Sequence, residues 1–223
     1  MQTNDINWNQ WRKWLFEGAA DMNLEMAEKQ SGLLETFTKE LLEANRSVNL
    51  TSVDDPLEIV ENMMLDSIMP GKFIPKGARV LDLGTGAGFP GIPLKIGYPE
   101  IDMTMIDGIR KKINFVKYAI RLLKLENVSA RHARAEELAR EEQRFDVVIS
   151  KAVTSIDQLI RLSMPLLKKD GMLMALKGRG YPAELDPSKL AGIVDMDQIK
   201  IKTEHYRLPR LNIDRTLVRV RFN

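Results

Sequence analysis

Apolar residues along this chain change their period near residue 78, and that change predicts its organisation. Before it they recur at three- and four-residue intervals, the spacing of helices that bury one face. Trp8, Trp11 and Trp14 stand at i, i+3 and i+6 and mark a helix whose indoles either anchor it to the body or offer rings for stacking bases. Leu34, Phe37, Leu41 and Leu42 mark a second amphipathic helix ending near Asn45, and residues 45–53 read as a polar turn. Asp54 and Asp55 before Pro56 supply a cap and a first turn, and Leu57, Val60, Met64 and Ile68 form the buried stripe that follows. Residues 1–70 therefore read as a helical extension, with Gly71 to Gly77 leading into a second domain over 71–223.

From Arg79 onward short apolar runs alternate with amphipathic stretches, which predicts an α/β fold: a parallel sheet with helices on both faces. Strands are expected over Arg79–Leu83, Asp102–Asp107, Val128–His132, Phe145–Ser150 and Gly171–Leu176. Helices are expected from Gly91, with Pro93 tolerated in the first turn, from Ile109 to Lys124, and from Ile156 to Leu167. The second of these should bury Ile109, Ile113, Val116, Ile120 and Leu123, and expose Arg110, Lys111, Lys112, Lys117, Arg121 and Lys124. The tail from Asp195 to Asn223 predicts two more strands, the last carrying Leu217, Val218, Val220 and Phe222.

Composition narrows the partners. At 223 residues, 44% hydrophobic and 29% charged, the chain has enough apolar surface for a substantial core. No stretch approaches the ~18 consecutive apolar residues of a membrane span. Met-Gln-Thr-Asn-Asp at the start lacks the basic and apolar pattern of a secretion signal, so a cytoplasmic protein without a membrane partner is expected. The absence of cysteine excludes disulfides, thiolate metal sites and a cysteine nucleophile. His132 and His205 lie far apart and form no metal-spacing pair, so no metal is expected. The net charge of +2 conceals an asymmetry: residues 1–78 hold 7 Lys+Arg against 13 Asp+Glu, and residues 79–223 hold 26 against 18. A basic second part suits a polyanion such as nucleic acid, or is ordinary solvated surface.

The candidate chemistry centres on Val80 to Gly91, a strand running into glycines at Gly84, Gly86, Gly88 and Gly91. Glycine at that density allows positive φ and close approach of a ligand at the carboxyl end of a strand, where open α/β sheets bind. Gly86-x-Gly88-x-x-Gly91 formally fits the dinucleotide pattern, and Asp107 follows at the distance of a ribose-binding acid. Asp82, inside the strand and just before the first glycine, would repel a pyrophosphate. It suits a ligand carrying an ammonium and a sulfonium, and S-adenosylmethionine is the common one. An NAD(P)-dependent oxidoreductase and a non-catalytic RNA-binding module stand as alternatives.

The other strand ends supply the remaining candidates. Glu136 is placed to accept from an adenine amino group, with the Ala135 N–H reaching a ring nitrogen, unless Glu136 is simply an acid favoured at a helix start. Lys151 follows Phe145–Ser150 directly and Lys177 follows Gly171–Leu176, so both are candidate catalytic or positioning residues. No Asn/Asp-Pro-Pro-aromatic sequence follows the fourth strand, which argues against methylation of an exocyclic amine. Without cysteine, carbon-5 methylation of a pyrimidine lacks its nucleophile. A guanine N7 has a free lone pair, and transfer to it requires mainly positioning. Lysine and arginine usually read guanine through O6 and N7, but an attacking N7 has no lone pair to accept with, so Lys151 would meet O6 or a phosphate. The base must leave any stack to reach the cleft, which favours a loop substrate.

Several blocks resemble, in order, those of the RsmG (GidB) family of bacterial ribosomal small-subunit methyltransferases. They are Asn45-Arg-Ser-Val-Asn-Leu-Thr-Ser-Val, Leu65-Asp-Ser-Ile, the run from Leu83 through Phe89-Pro-Gly-Ile-Pro-Leu94, Leu123-Lys-Leu-Glu-Asn-Val, Phe145-Asp-Val-Val-Ile-Ser-Lys-Ala and Ala175-Leu-Lys-Gly. The resemblance spans Leu33 to Gly178. It implies a Rossmann-like class I methyltransferase with a seven-stranded, mostly parallel sheet, and S-adenosylmethionine as cofactor. It further implies methylation of a guanine N7 in the 530 loop of 16S rRNA, within the 30S subunit or an assembly precursor; the oligomeric state stays unassigned. By position it gives cofactor contacts at Gly84, Phe89, Ala135 and Glu136, beside Asp82, Gly86, Gly88, Asp107 and Lys151 from the residues themselves. Lys151 stands where the family carries arginine, keeping the charge without the planar fork.

Overall fold

The computed structural model describes residues 6–222 except Glu142, Ala152 and Ala191. Met1 to Asp5 at the start, Ala152 of the block quoted from Phe145, and Asn223, the last residue of the expected tail, lie outside the described residues. Helices α1 (Trp8–Asp21) and α2 (Glu28–Val48) open the fold. A helical stretch follows that is α over Pro56–Glu58 (α3), π over Ile59–Leu65, α again over Asp66–Ile68 (α4), and ends as 3-10 turns over Met69–Phe73. Then come β1 (Arg79–Leu83), α5 (Gly91–Gly97), β2 (Asp102–Asp107), α6 (Arg110–Leu122), β3 (Val128–His132) and α7 (Ala135–Ala139). β4 (Phe145–Lys151), α8 (Ile156–Ser163), β5 (Leu167–Lys177), β6 (Ile199–Leu208) and β7 (Ile213–Phe222) complete it, with a 3-10 turn at Tyr181–Glu184 and short α9 (Pro187–Leu190) after β5.

The strands form one sheet in the order β3-β2-β1-β4-β5-β7-β6. β1 to β5 are parallel, and β7 runs antiparallel to both β5 and β6. Strand order reverses between β1 and β4, the switch point at which such sheets bind ligands. Pairing of Lys177 with Thr216, and of Thr216 with His205, brings the start of β7 and the end of β6 to the same rim as the carboxyl ends of the parallel strands.

Each sheet face carries its own core. One contains Val80, Met103, Met105, Val147 and Met174 together with Trp11, Leu15, Leu34, Phe37 and Leu41, so the N-terminal helices pack on this face. The other contains Leu81, Val148, Leu173 and Val218 under α7 and α8. Trp11 is fully buried, with Trp8 and Trp14 half-buried against the same cluster, which is an anchoring arrangement. Glu35 of α2, itself buried, takes Arg12 of α1 and, at 2.5 Å, Lys39, and its carboxyl is held below the usual range by these two cations against the opposing effect of burial.

Several boundaries differ from the expectation. α2 continues past Asn45 to Val48 because the Asn45 side chain serves the loop beyond it, accepting from Leu50 and Thr51 N–H at 2.6 and 2.9 Å. The helix stops at Asn49, whose φ of 51° is left-handed. Ile109, expected in a buried stripe, is 45% exposed: it is the extended residue ahead of α6, so its side chain falls outside the helical face. β5 starts at Leu167, earlier than Gly171, with partners of β4 jumping from Leu167 to Met172 across an exposed bulge. α8 correspondingly ends at Ser163 before a 3-10 turn.

Candidate cofactor and substrate site

β1 delivers Asp82 to the switch point fully buried. Its Oδ2 accepts from the Gly91 N–H at 2.9 Å, the first residue of α5. Glycine is required there: a Cβ at position 91 would lie 2.7 Å from that oxygen and 2.4 Å from Met105 Sδ. Thr85 lies beside the carboxylate and steadies its charge, yet without hydrogen-bond geometry, so Asp82 Oδ1 and Thr85 Oγ1 both stay buried and unpartnered. Burial dominates and pushes the Asp82 carboxyl up to about 7, aided by the nearby charge of Asp107.

Asp107, at the end of β2, closes the loop from the other side. It accepts from the Gly86 N–H at 2.9 Å and from the Ile109 N–H at 2.7 Å, leaving further lone pairs on both oxygens. Most of the other loop amides are also taken within the protein. Gly84 and Thr85 donate to the Ile106 carbonyl, and Gly88 and Phe89 donate to the Thr85 carbonyl. Amides committed in this way make a poor cradle for a pyrophosphate. Gly86, at φ 56°, is open on its outer side: a Cβ there would find Lys112 Nζ as its nearest neighbour, at 3.9 Å. Val153, exposed, lies over Gly84, and Gly88 packs against Ile92 and Phe37.

Phe89 sits with its ring 5.4 Å from Phe37, inside the core cluster. Phe37 in turn stacks on Phe115 of α6, tying the glycine loop to α2 and α6. Ala135 is buried and Glu136 exposed in the first turn of α7, beyond the end of β3.

Lys151 ends β4, and its ammonium meets a carboxylate from the N-terminal helices. Nζ lies 2.7 Å from Asp66 Oδ2 and donates to the Asn62 carbonyl. Asp66 is buried and also accepts from the Tyr206 hydroxyl at 2.5 Å. Arg215 donates to Asn62 Oδ1 at 2.8 Å, with its Nε 3.9 Å from Asp66. Burial, with the charge of Asp66 adding, drives the Tyr206 phenol well above its usual range, so it remains a donor. Asn62, Asp66, Tyr206 and Arg215 are functional candidates that the residue pattern alone does not single out; the available signal was an acid inside an otherwise buried helical stripe. Lys177 lies elsewhere, donating to the Thr154 carbonyl at 2.5 Å and to Glu184 at 2.7 Å, while Glu184 also accepts from the Ile156 N–H at 2.9 Å. That position braces the start of α8.

The GidB family model, described as rRNA small subunit methyltransferase G, matches residues 30–208. The chain belongs to this family. A relative from Geobacter sulfurreducens named Ribosomal RNA small subunit methyltransferase G is 36% identical over 209 residues, 93% of this chain and 96% of its own. One of the same name from Desulfitobacterium hafniense is 40% identical over 182 residues, 80% and 76% of the two chains. Among solved structures, M. jannaschii TYW2 in complex with AdoMet superposes with a TM-score of 0.55 at 18% identity, over 72% of this chain and 75% of that one. TrmN from Thermus thermophilus does so at 0.54 and 15% identity, over 77% and 55%. These likenesses show the fold of class I S-adenosylmethionine-dependent methyltransferases. The family match continues beyond Gly178 to Leu208 and so takes in β6 and Tyr206.

Proposed function

We propose that the chain transfers a methyl group from S-adenosylmethionine to N7 of a guanine in the 530 loop of 16S rRNA, within the small subunit or its precursor. The observation that carries the cofactor reading is the buried, half-unpartnered Asp82 at the switch point, below a loop most of whose amides are already committed. Bringing a cation beside that carboxylate restores its charge, whereas a pyrophosphate would meet an acid and few free donors. Asp107 offers its remaining lone pairs to ribose hydroxyls, and Glu136 an acceptor to the adenine amino group. Membership of a family described as small-subunit rRNA methyltransferases supports the substrate class.

When bound, S-adenosylmethionine supplies an electrophilic methyl: the S–C bond breaks as the N7–C bond forms, leaving a neutral thioether and a cationic purine with no proton to remove. The protein therefore needs no general base, and its part is orientation. Lys151 donates one of its three N–H groups to the Asn62 carbonyl and lies in ion-pair contact with Asp66. A remaining donor would meet O6 or a phosphate. Asp66 beside it neutralises a charge that would otherwise oppose the positive charge arriving on the purine. Lys177, with Glu184, holds the wall formed by α8 in this reading.

The test incubates the protein with labelled S-adenosylmethionine and small subunits from cells lacking the family's enzyme, then maps the labelled nucleotide. The expected result is 7-methylguanosine at one position in the 530 loop. Label on a carbon or an exocyclic amine would overturn the N7 chemistry, and tight binding of NADH without S-adenosylmethionine binding would overturn the cofactor.

A further inference from the structure

A second cavity opens on the same rim, away from the glycine loop. Arg179, Tyr181, His205, Arg207, Asp214 and Thr216 line a space of about 490 Å³, within the usual range for small-ligand sites. It lies at the end of β7 that pairs with Lys177, and at the end of β6. With strands about 4.8 Å apart, β7 and β6 stand roughly 10 and 14 Å from the end of β4, where Lys151 sits. Arg215, which also lines the cavity, donates to Asn62 in the Lys151 cluster and so bridges the two.

The lining combines two chemistries. Tyr181 and His205 form a tilted ring pair in the lining, with centroids 5.9 Å apart at 48°. Arg179 and Arg207 both hold the one carboxylate of Asp214, at 2.9 and 2.8 Å. Two guanidiniums on a single acid leave a net positive charge and most of their N–H donors unused. Their side chains are 74% and 55% exposed, so those donors face solvent. Planar forks of this kind match phosphate oxygens, and flat rings match a nucleobase of any identity.

We infer that this cavity is an RNA subsite that takes a nucleotide neighbouring the methylated guanine, its base against Tyr181 and His205 and its phosphate on Arg179 and Arg207. Asp214 shares its single carboxylate between the two arginines. The inference rests on the reading that rRNA is the substrate, and it adds where the strand runs once the target base has left the stack.

The test measures binding of a fluorescein-labelled single-stranded oligoribonucleotide by anisotropy at several salt concentrations, with S-adenosylmethionine affinity measured calorimetrically on the same preparations. Tyr181→Ala should weaken RNA binding by roughly tenfold, with Tyr181→Phe close to the parent. Arg207→Ala should weaken binding and reduce the slope of log K against log salt by about 0.7. Asp214→Asn should bind RNA as tightly as the parent or more so, because it removes the carboxylate charge that the two arginines share. Cofactor affinity should be unchanged in all four. On small subunits, Tyr181→Ala should raise KM and leave kcat alone. Parent-like RNA binding by both Tyr181→Ala and Arg207→Ala would overturn the subsite, as would an Asp214→Asn loss equal to that of Arg207→Ala. If the parent methylates no particle, the substrate reading fails, and the oligoribonucleotide measurements still decide the subsite.

Discussion

At the β1–β2 end of the rim carboxylates hold backbone: Asp82 holds the Gly91 N–H, and Asp107 holds Gly86 and Ile109. At the β4–β5–β7 end they hold cations: Asp66 takes Lys151, Glu184 takes Lys177, and Asp214 takes two arginines. The first arrangement shapes a loop and leaves acid to meet a cationic ligand. The second holds positive groups in place for an anionic one. Their energetics differ accordingly. The Lys151–Asp66 pair, whose acid is buried, fails when one partner is removed, since the other is left charged and desolvated, whereas a backbone clamp survives an isosteric change that keeps an acceptor.

Asp66→Ala should therefore have the largest effect on stability. It strands the Lys151 ammonium and the Tyr206 hydroxyl, and a loss of about 3–5 kcal/mol in urea unfolding is expected. A loss below about 1 kcal/mol would mean that the cluster is already hydrated. Lys151→Ala should lower kcat on small subunits by about a hundredfold with little change in cofactor affinity, measured below its unfolding temperature. Lys151→Arg, which keeps the charge, should retain most of both. An unchanged rate in Lys151→Ala would remove that residue from the substrate side.

Asp82→Asn carries the comparison to the other end of the rim. The carboxyl titrates near 3.8 in the unfolded chain and about 7 when folded, so across that interval the folded state binds more protons. Stability then falls as pH rises through the window, and below it the group contributes nothing. Asparagine keeps an acceptor for Gly91 and has no charge to bury. The variant should gain up to about 4 kcal/mol over the parent above pH 7, with no gain near pH 4. The same change should weaken S-adenosylmethionine binding by about tenfold or more, the order expected for a desolvated charge pair. Identical pH profiles for variant and parent would show that Asp82 is ionised and well solvated in the folded protein.

The two ends also differ in how far they were readable from residue order. The glycine loop is coded locally: Asp82, the glycines and Asp107 lie in one strand–turn–helix–strand unit, and the apolar period places that unit at the switch point. The Lys151 cluster joins Asn62 and Asp66 to Tyr206 and Arg215 through tertiary packing, which no period along the chain reports. A π-helical stretch sets the facing of Glu61 and Asn62, and there a reading based on 3.6 residues per turn has no warning. Glu61 shows the consequence: its buried carboxylate caps the Arg210 and Leu211 amides of the β6–β7 turn, a contact spanning most of the chain. Ile109 departs from its expected burial for a local reason, because Asp107 holds its N–H and keeps it extended ahead of α6.

Asp107→Ala frees the Gly86 amide and removes the proposed ribose acceptor together, so a loss of about tenfold or more in S-adenosylmethionine affinity is expected by calorimetry, with a smaller change in kcat at saturating cofactor. Retained affinity would show that the loop is held by its other hydrogen bonds alone.

The smallest effect belongs to Glu136, and it sharpens the contrast most cheaply. It is exposed, so removing it strands no buried partner and should leave unfolding unchanged. If it accepts from the adenine amino group, Glu136→Ala should weaken S-adenosylmethionine binding by a few-fold, up to about tenfold, the range of a single hydrogen bond to a charged acceptor at a wet site. The decisive measurement compares S-adenosylmethionine with the analogue whose adenine amino group is replaced by hydrogen, which leaves the ring nitrogens as acceptors. The parent should prefer the amino form, and Glu136→Ala should bind the two alike. A preference that survives the substitution would assign adenine recognition to backbone groups of the α7 turn and leave Glu136 as an acid favoured by the helix start.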